Sequence, residues 1–138
     1  MATAALPSTM HVDHVGVATA DSDGLAGLYE ELLDAPVVQR ETFGDLAVVF
    51  LDCDNGYFEL LEPTDESGTI ARYLDARGSG LHHIALATDD LGAALSNAAD
   101  LGVELIDEAP RPGAWGHDVA FLHPHSTGGV LVEFVETA

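Results

Sequence analysis

Two stretches of sequence decide the fold of this chain: Asp13-His14-Val15-Gly16-Val17-Ala18-Thr19-Ala20-Asp21 and His82-His83-Ile84-Ala85-Leu86-Ala87-Thr88-Asp89-Asp90. The second repeats the pattern of the first at a constant offset of 69 residues, and each is followed by apolar residues at helical spacing. Short strand-like runs come after each helix, with glycine-containing turn signals before the last run. Each half therefore predicts the order β-α-β-β-β.

The 138 residues predict a single domain of the α+β class, because a half of this size closes only a small core alone. Its expected parts are modules 10–63 and 80–136, joined by a short helical linker. Asp21 and Asp90 are expected to cap the two main helices, and Ser67 to cap the linker. The linker and the remaining strands are predicted at Ser67–Ala76, Val37–Arg40, Leu46–Leu51, Tyr57–Leu61, Val103–Ile106, Val119–Leu122 and Val130–Val135.

The charge balance is extreme, with 24 acidic residues, 4 basic residues and a formal net charge of −20. Nucleic acid is an improbable partner, because this charge repels phosphate. The self-repulsion is strong in dilute buffer, whereas molar salt shortens the Debye length to roughly 3 Å. We therefore expect a salt-adapted protein from a halophile. An ordinary acidic mesophilic protein is the alternative.

Localisation and redox chemistry are bounded by what the sequence lacks. A run of 18 apolar residues is absent, so no membrane-spanning helix is predicted. The stretch Met1–Met10 has no basic residue before its apolar part and is not typical of a signal peptide. The single cysteine, Cys53, permits no internal disulfide and is expected to be a packing residue. These features favour a cytoplasmic protein with no membrane partner.

Two histidines occupy equivalent places in the repeat. Strand alternation puts His14 and His83 on faces whose other side chains are those of glycine and alanine, while bulky residues point the opposite way. A core face would be filled to high density, so these faces leave room for a group that is not protein. The same alternation predicts that His82 points away from the face of His83.

Two glutamates lie inside apolar runs of the last strands, Glu59 in the first half and Glu133 in the second. A buried carboxylate has to be protonated, paired or bound to a cation, and arginines are scarce here. Two imidazoles and two carboxylates can hold one divalent ion with two positions open to a chelating substrate. We predict His14, Glu59, His83 and Glu133 as its ligands. Taken alone, each histidine is more often a hydrogen-bonded strand residue, and each glutamate is as often an edge-strand residue facing water; the repeat-related pattern of all four favours the metal site.

Five segments carry a likeness to known proteins; they are Val12–Ala18, Phe58–Pro63, Gly80–Ala85, Leu105–Ala114 and Phe121–Glu133. Together they resemble the vicinal oxygen chelate (glyoxalase/bleomycin resistance) superfamily and, within it, the methylmalonyl-CoA epimerases. The likeness extends from about His11 to Glu136. Its most specific parts are the Pro-Arg-Pro-Gly-Ala stretch at 110–114 and the histidine-proline loop at 123–131. A haloarchaeal member of this family would combine the motifs with the charge.

The resemblance implies two tandem βαβββ modules forming a curved, partly open mixed sheet, usually in a homodimer. It also implies a divalent metal, Co²⁺ in assays with Zn²⁺, Ni²⁺, Mn²⁺ or Mg²⁺ as alternatives, on the same four residues. Some relatives have glutamine where Glu59 stands. The implied reaction interconverts (R)- and (S)-methylmalonyl-CoA, on the route from propionyl-CoA to succinyl-CoA.

In that reaction a base removes the C2 proton and the metal stabilises the resulting enolate. Epimerisation needs proton transfer on both faces of C2, and Glu133 is the predicted acid/base group for one of them. Some bacterial relatives carry a second glutamate at a position that aligns near Ala47. The cations available for the phosphates of the CoA thioester are Arg72, Arg77, Arg111 and His125.

Other functions share this fold. A glyoxalase I-type lactoylglutathione lyase uses the same metal set on a glutathione hemithioacetal, and the two specific stretches argue against it. A metal-free small-molecule binding protein has no need of four ligands. An extradiol dioxygenase uses two histidines and one carboxylate on iron, so the second glutamate counts against it.

Overall fold

The computed structural model describes residues 10–137, and it divides the chain into two compact units. The first unit is His14–His83; the second begins at Ile84 and includes the start of the chain. Each unit contains the βαβββ order that the repeat predicts, so the α+β class with tandem modules is confirmed. In the described part of the chain, no helix is long and apolar enough to span a bilayer.

The first unit contains β1 His11–Ala18, which begins before the unit boundary, α1 Ser22–Leu33, β2 Val37–Phe43, β3 Leu46–Asp52, β4 Tyr57–Pro63 and α2 Thr69–Arg77. Its strands lie in the order β2-β3-β4-β1, with β1 parallel to β4 and the other neighbours antiparallel. Helix α1 packs on this sheet through Ala26, which is fully buried beside Leu51 and Leu60.

The second unit contains β5 Gly80–Thr88, which begins before the unit boundary, α3 Leu91–Asp100, β6 Arg111–Pro112, β7 Asp118–Leu122 and β8 Val132–Glu136. It repeats the arrangement in the order β5-β8-β7-β6, with β5 parallel to β8. Helix α3 buries Leu91, Leu95 and Ala98 against Ala120 and Phe134.

Both main helices begin in the predicted way. The Asp21 side chain accepts a hydrogen bond from the Gly24 amide at 2.9 Å, and Asp90 accepts one from the Ala93 amide at 3.0 Å. A second carboxylate joins each helix start. Glu62 accepts from the Ser22 amide and Glu136 from the Leu91 amide, both at 2.7 Å. The last strand of each unit is thus tied to the first turn of its helix. Those two hydrogen bonds satisfy amides that have no partner within the helix.

The predicted strand Val103–Ile106 is wrong, because only Leu105 forms an isolated bridge there. The amides of Ile106 and Asp107 both donate to the Phe121 carbonyl, at 3.0 and 3.2 Å. The Asp107 side chain in turn accepts from the Phe121 amide at 2.9 Å. A carboxylate therefore replaces the backbone partner that a strand would supply. The outer strand of this unit is instead β6, two residues long.

Two smaller boundaries also differ from the prediction. Helix α2 begins after Gly68 without a side-chain cap, because the Ser67 hydroxyl donates to Asp65 at 2.7 Å. Strand β8 begins at Val132 and not at Val130. The Val130 carbonyl accepts a hydrogen bond from the Thr127 hydroxyl at 2.7 Å, which holds that residue in the loop.

Candidate metal centre

Three of the predicted ligands meet in the first unit: His14 on β1, Glu59 on β4 and His83 near the start of β5. Glu59 Oε1 lies 3.3 Å from His14 Nε2 and 3.2 Å from His83 Nε2. The two Nε2 atoms are 3.2 Å apart. All three residues are 5–6% exposed. Three of the predicted ligand residues therefore form a buried triangle of donor atoms.

The size of this triangle fits a divalent cation. Histidine nitrogens and carboxylate oxygens bind Zn²⁺ at about 2.0–2.2 Å. Two such donors are then about 3 Å apart at an octahedral right angle and about 3.4 Å apart at a tetrahedral angle. The observed separations of 3.2–3.3 Å lie within this range. One carboxylate and two imidazoles are also a donor set that suits Zn²⁺, Co²⁺ and Ni²⁺.

Strand register accounts for the meeting of His14 and Glu59. In the parallel pair of β1 and β4, Glu59 lies opposite Gly16, which is two residues beyond His14 on the same face. A Cβ atom at Gly16 would lie 2.1 Å from Cε1 of His83 and 2.4 Å from its Nδ1. The space above this glycine is therefore filled by the His83 ring. At this position, the room predicted from the sequence for a group that is not protein is taken by the His83 ring.

The electrostatics of Glu59 reflect both burial and its two histidine partners. Burial by itself raises the pKa of this carboxyl. Hydrogen bonds from His14 and His83 and the positive charge of the two rings outweigh burial, and they lower the pKa to about 2. The carboxylate is consequently ionised across the physiological range. An ionised buried oxygen beside two imidazoles is a suitable donor for a cation.

His82 does not point away from His83, contrary to the prediction. Its Nδ1 lies 2.9 Å from Nδ1 of His83, and the two rings are perpendicular with centroids 5.2 Å apart. The other face of the centre is lined by Phe50, whose ring meets His14 edge-on at 5.8 Å. Alternation describes where successive side chains start and does not exclude contact between the rings of two neighbouring histidines.

Glu133 belongs to the second unit, where it is 6% exposed on β8. It lies opposite Ala85 on β5, two residues beyond His83. Ala85 is the repeat equivalent of Gly16, which lies opposite Glu59 in the first unit. The two glutamates thus occupy the same register position in the duplicated units.

The position that aligns near the second glutamate of some relatives, Ala47, does not share a face with Glu59. Ala47 pairs with Glu62 across β3 and β4, so it lies on the face opposite to Glu59. With Arg40 and Ser22 it lines a cavity of about 330 Å³. Val48 pairs with Leu61 and lies on the Glu59 face, as does Phe50, which pairs with Glu59 itself. The β3 residue that follows Ala47, and that does lie on the Glu59 face, is therefore an apolar valine.

The cations suggested for phosphate binding all have protein partners. Arg72 donates to the Ser67 carbonyl at 2.6 Å, and Arg77 lies 5.8 Å from the centre of the Tyr73 ring. Arg111 pairs with Asp107 at 3.0 Å. His125 pairs with Glu104 at 3.1 Å and, with His123, forms a second His/Glu group whose donor atoms lie within 4.8 Å of one another.

The sequence matches a known protein family over most of its length. The family model described as the glyoxalase/bleomycin resistance protein/dioxygenase superfamily matches residues 13–121. The chain belongs to this superfamily. Its fold is the vicinal oxygen chelate fold, as the repeat and motifs predicted.

Individual relatives point to one branch of the superfamily. The chain is 35% identical over 127 residues to the uncharacterized protein YqjC of Bacillus subtilis, covering 91% of each. It is 34% identical over 126 residues to an ethylmalonyl-CoA/methylmalonyl-CoA epimerase of Cereibacter sphaeroides, covering 88% of this chain and 94% of that protein. The solved structure of a methylmalonyl-CoA epimerase in complex with methylmalonyl-CoA and NH₄⁺ matches with a TM-score of 0.86 at 34% identity, covering 95% and 96% of the two chains.

Proposed function

We propose that this chain is a divalent-metal-dependent methylmalonyl-CoA epimerase whose ligands are His14, Glu59, His83 and Glu133. The observation that carries the proposal is the buried His14–Glu59–His83 triangle, with donor atoms 3.2–3.3 Å apart. Relatives that act on methylmalonyl-CoA at 34% identity support the reaction, because they match nearly the whole chain.

Glu133 is the proposed fourth ligand because of the duplication. Glu59 lies opposite Gly16 and Glu133 lies opposite Ala85, so each half supplies one histidine and one glutamate in the same register. Two carboxylates balance the charge of a divalent ion, which lowers the cost of burying all three charges. Four protein donors leave two positions of an octahedral ion for a chelating substrate.

The chemistry follows from the acidity of the substrate's C2 proton, which lies between a thioester and a carboxylate. When bound, a divalent cation supplies Lewis-acid stabilisation of the negative charge that develops on the thioester oxygen. The chain's residues hold the substrate and move protons. In our proposal the Glu133 carboxylate takes the C2 proton, and the electron pair of the broken C–H bond passes to the thioester carbonyl.

Reprotonation on the opposite face completes the inversion, while return of the proton to the original face regenerates the starting epimer. Val48 supplies no acid/base group on the Glu59 face of β3. The proposal therefore assigns one face of the reaction to Glu133, and the proton donor for the other face is a residue other than Val48.

We also propose the activating metal, the substrate class, the assembly and the location. Co²⁺ is proposed as an activating metal, with Zn²⁺, Ni²⁺, Mn²⁺ and Mg²⁺ as competitors. The substrate is a CoA thioester, the assembly a homodimer and the location the cytoplasm. The net charge of −20 supports a salt-adapted protein of haloarchaeal origin, since molar salt screens its self-repulsion.

The test is proton exchange at C2 of methylmalonyl-CoA in D₂O, followed by NMR in molar KCl with and without divalent metal. We expect metal-dependent loss of the C2 proton signal from both epimers. His83→Ala is expected to abolish the exchange, whereas His117→Ala, at a histidine outside both His/Glu groups, should retain it. Absence of exchange, together with turnover of the methylglyoxal–glutathione hemithioacetal, would replace the proposal with a glyoxalase I-type activity.

A further inference from the structure

Two neighbouring histidines, His82 and His83, are in contact at the start of β5. Nδ1 of His82 and Nδ1 of His83 are 2.9 Å apart, which is hydrogen-bond distance. Two nitrogens can form this bond only if one carries a proton and the other offers a lone pair. The state of one ring therefore determines the state of the other.

The surroundings of His83 decide which nitrogen donates. Its Nε2 faces Glu59 Oε1 at 3.2 Å and His14 Nε2 at 3.2 Å, so Nε2 is the atom placed to bind a metal. A neutral imidazole that binds through Nε2 carries its proton on Nδ1. His83 Nδ1–H would then donate to His82 Nδ1. His82 has to be the tautomer with its proton on Nε2.

His82 is itself held by helix α2. The Tyr73 ring meets the His82 ring edge-on, with centroids 5.1 Å apart and an interplanar angle of 80°. The Tyr73 hydroxyl donates to the backbone carbonyl of Leu81, the residue just before His82. The guanidinium of Arg77 lies 5.8 Å from the centre of the Tyr73 ring. Helix α2 thus packs against His82, the residue that would accept the hydrogen bond from His83.

We infer that His82 is a positioning residue: it fixes the orientation and tautomer of His83, so that Nε2 of His83 is presented to a divalent cation. The inference rests on the proposed metal function and adds to it a residue outside the ligand set. Outer partners of this kind typically change metal affinity by 10–100-fold when they are removed.

Two substitutions separate the hydrogen bond from simple packing. His82→Ala removes the acceptor, and we expect the dissociation constant for Co²⁺, measured by calorimetric titration, to rise 10–100-fold. His82→Asn keeps an acceptor oxygen close to the position of Nδ1, and its affinity should stay within about threefold of the unaltered chain. Circular dichroism and the thermal midpoint check that both variants fold, and His117→Ala is the control for a histidine outside both His/Glu groups.

A spectroscopic measurement tests the same bond directly. In the Zn²⁺-loaded chain, ¹H–¹⁵N NMR should show a slowly exchanging proton on Nδ1 of His83. The signal should persist in His82→Asn and be lost to solvent exchange in His82→Ala. Tyr73→Phe, which retains the ring and removes the hydroxyl, provides a second, milder perturbation if His82→Ala does not fold.

The outcomes distinguish this inference from the proposed function. Unchanged Co²⁺ affinity and an unchanged Nδ1 proton in His82→Ala would overturn the positioning role alone. Equal weakening in the alanine and asparagine variants would also overturn it, because that result indicates packing and not an acceptor. Failure of the unaltered chain to bind any divalent metal would overturn both. Metal binding with the expected His82 effects but no C2 exchange would leave the positioning role standing and reject the epimerase.

Discussion

Gly16→Ala is a small change that should damage the proposed metal centre severely. The added Cβ would lie 2.1 Å from Cε1 of His83, whereas Cβ contacts under 3.0 Å are essentially never found in proteins. The ring therefore has to move by about 0.9 Å, which exceeds the tolerance of about 0.5 Å for a functional geometry. A misplacement of about 1 Å costs on the order of 100-fold in activity. Overpacking the buried site also costs about 1–3 kcal/mol in the free energy of unfolding.

The assay combines Co²⁺ titration, C2 exchange and urea unfolding, with Gly27→Ala as the matched control. No heavy atom lies within 4 Å of a Cβ built at Gly27, which is in the middle of α1, so that variant should gain up to about 1 kcal/mol. If the collision with His83 is the cause, Gly16→Ala should cost little stability in a His83→Ala background. Equal destabilisation in both backgrounds, or near-normal Co²⁺ affinity in Gly16→Ala, would refute the reasoning.

Further predictions concern the ligands, the helix starts and the solvent. His83→Ala should lose Co²⁺ binding by titration while its circular dichroism stays near that of the unaltered chain. In metal-free protein, the pKa of Glu59 is lowered from 4.5 to about 2. The ionised carboxylate should therefore add at most about 3 kcal/mol to the free energy of unfolding. This contribution should be present above pH 4.5 and be lost as the pH falls towards 2. Urea unfolding of Glu59→Gln across that range measures it, and a constant difference from the unaltered chain would contradict it. Glu62→Ala, which deprives the Ser22 amide of its acceptor, should cost about 1 kcal/mol in urea unfolding; no change would argue against the carboxylate cap. The thermal midpoint should rise between about 0.1 and 2 M KCl as screening weakens the self-repulsion; a flat or falling midpoint would reject salt adaptation.

Much of the fold follows from the sequence because the duplication is visible in it. Two copies of one βα pattern predict two units of the same order, and equivalent histidines and glutamates then fall in equivalent registers. The triangle of His14, Glu59 and His83 could be predicted because alternation along a strand and repetition between halves both select the same residues.

The predicted elements are wrong where a side-chain hydrogen bond replaces the expected one. The Phe121 amide donates to the Asp107 carboxylate, and the predicted strand Val103–Ile106 forms only an isolated bridge at Leu105. Ser67 bonds to Asp65 in the preceding loop and leaves α2 without its predicted cap. Apolar patterning carries no information about such competition between side-chain and backbone hydrogen bonds.

The position near the second glutamate of some relatives shows how sensitive a face assignment is to register. A shift of one residue exchanges the two faces of a strand, and Ala47 and Val48 differ by just that shift. The repeat likewise gives no hint of the His82 contact, because the equivalent residue in the first half is Asp13. Only side-chain positions reveal that His82 reaches His83.

The central claim is that one divalent ion binds to ligands supplied equally by the duplicated halves. Anomalous diffraction from crystals of the Co²⁺-loaded chain tests it most directly. The account predicts a strong peak about 2.0–2.2 Å from Nε2 of His14, Nε2 of His83 and carboxylate oxygens of Glu59 and Glu133. A cobalt peak confined to the group formed by Glu104, His123 and His125, with none beside His14 and His83, would contradict it.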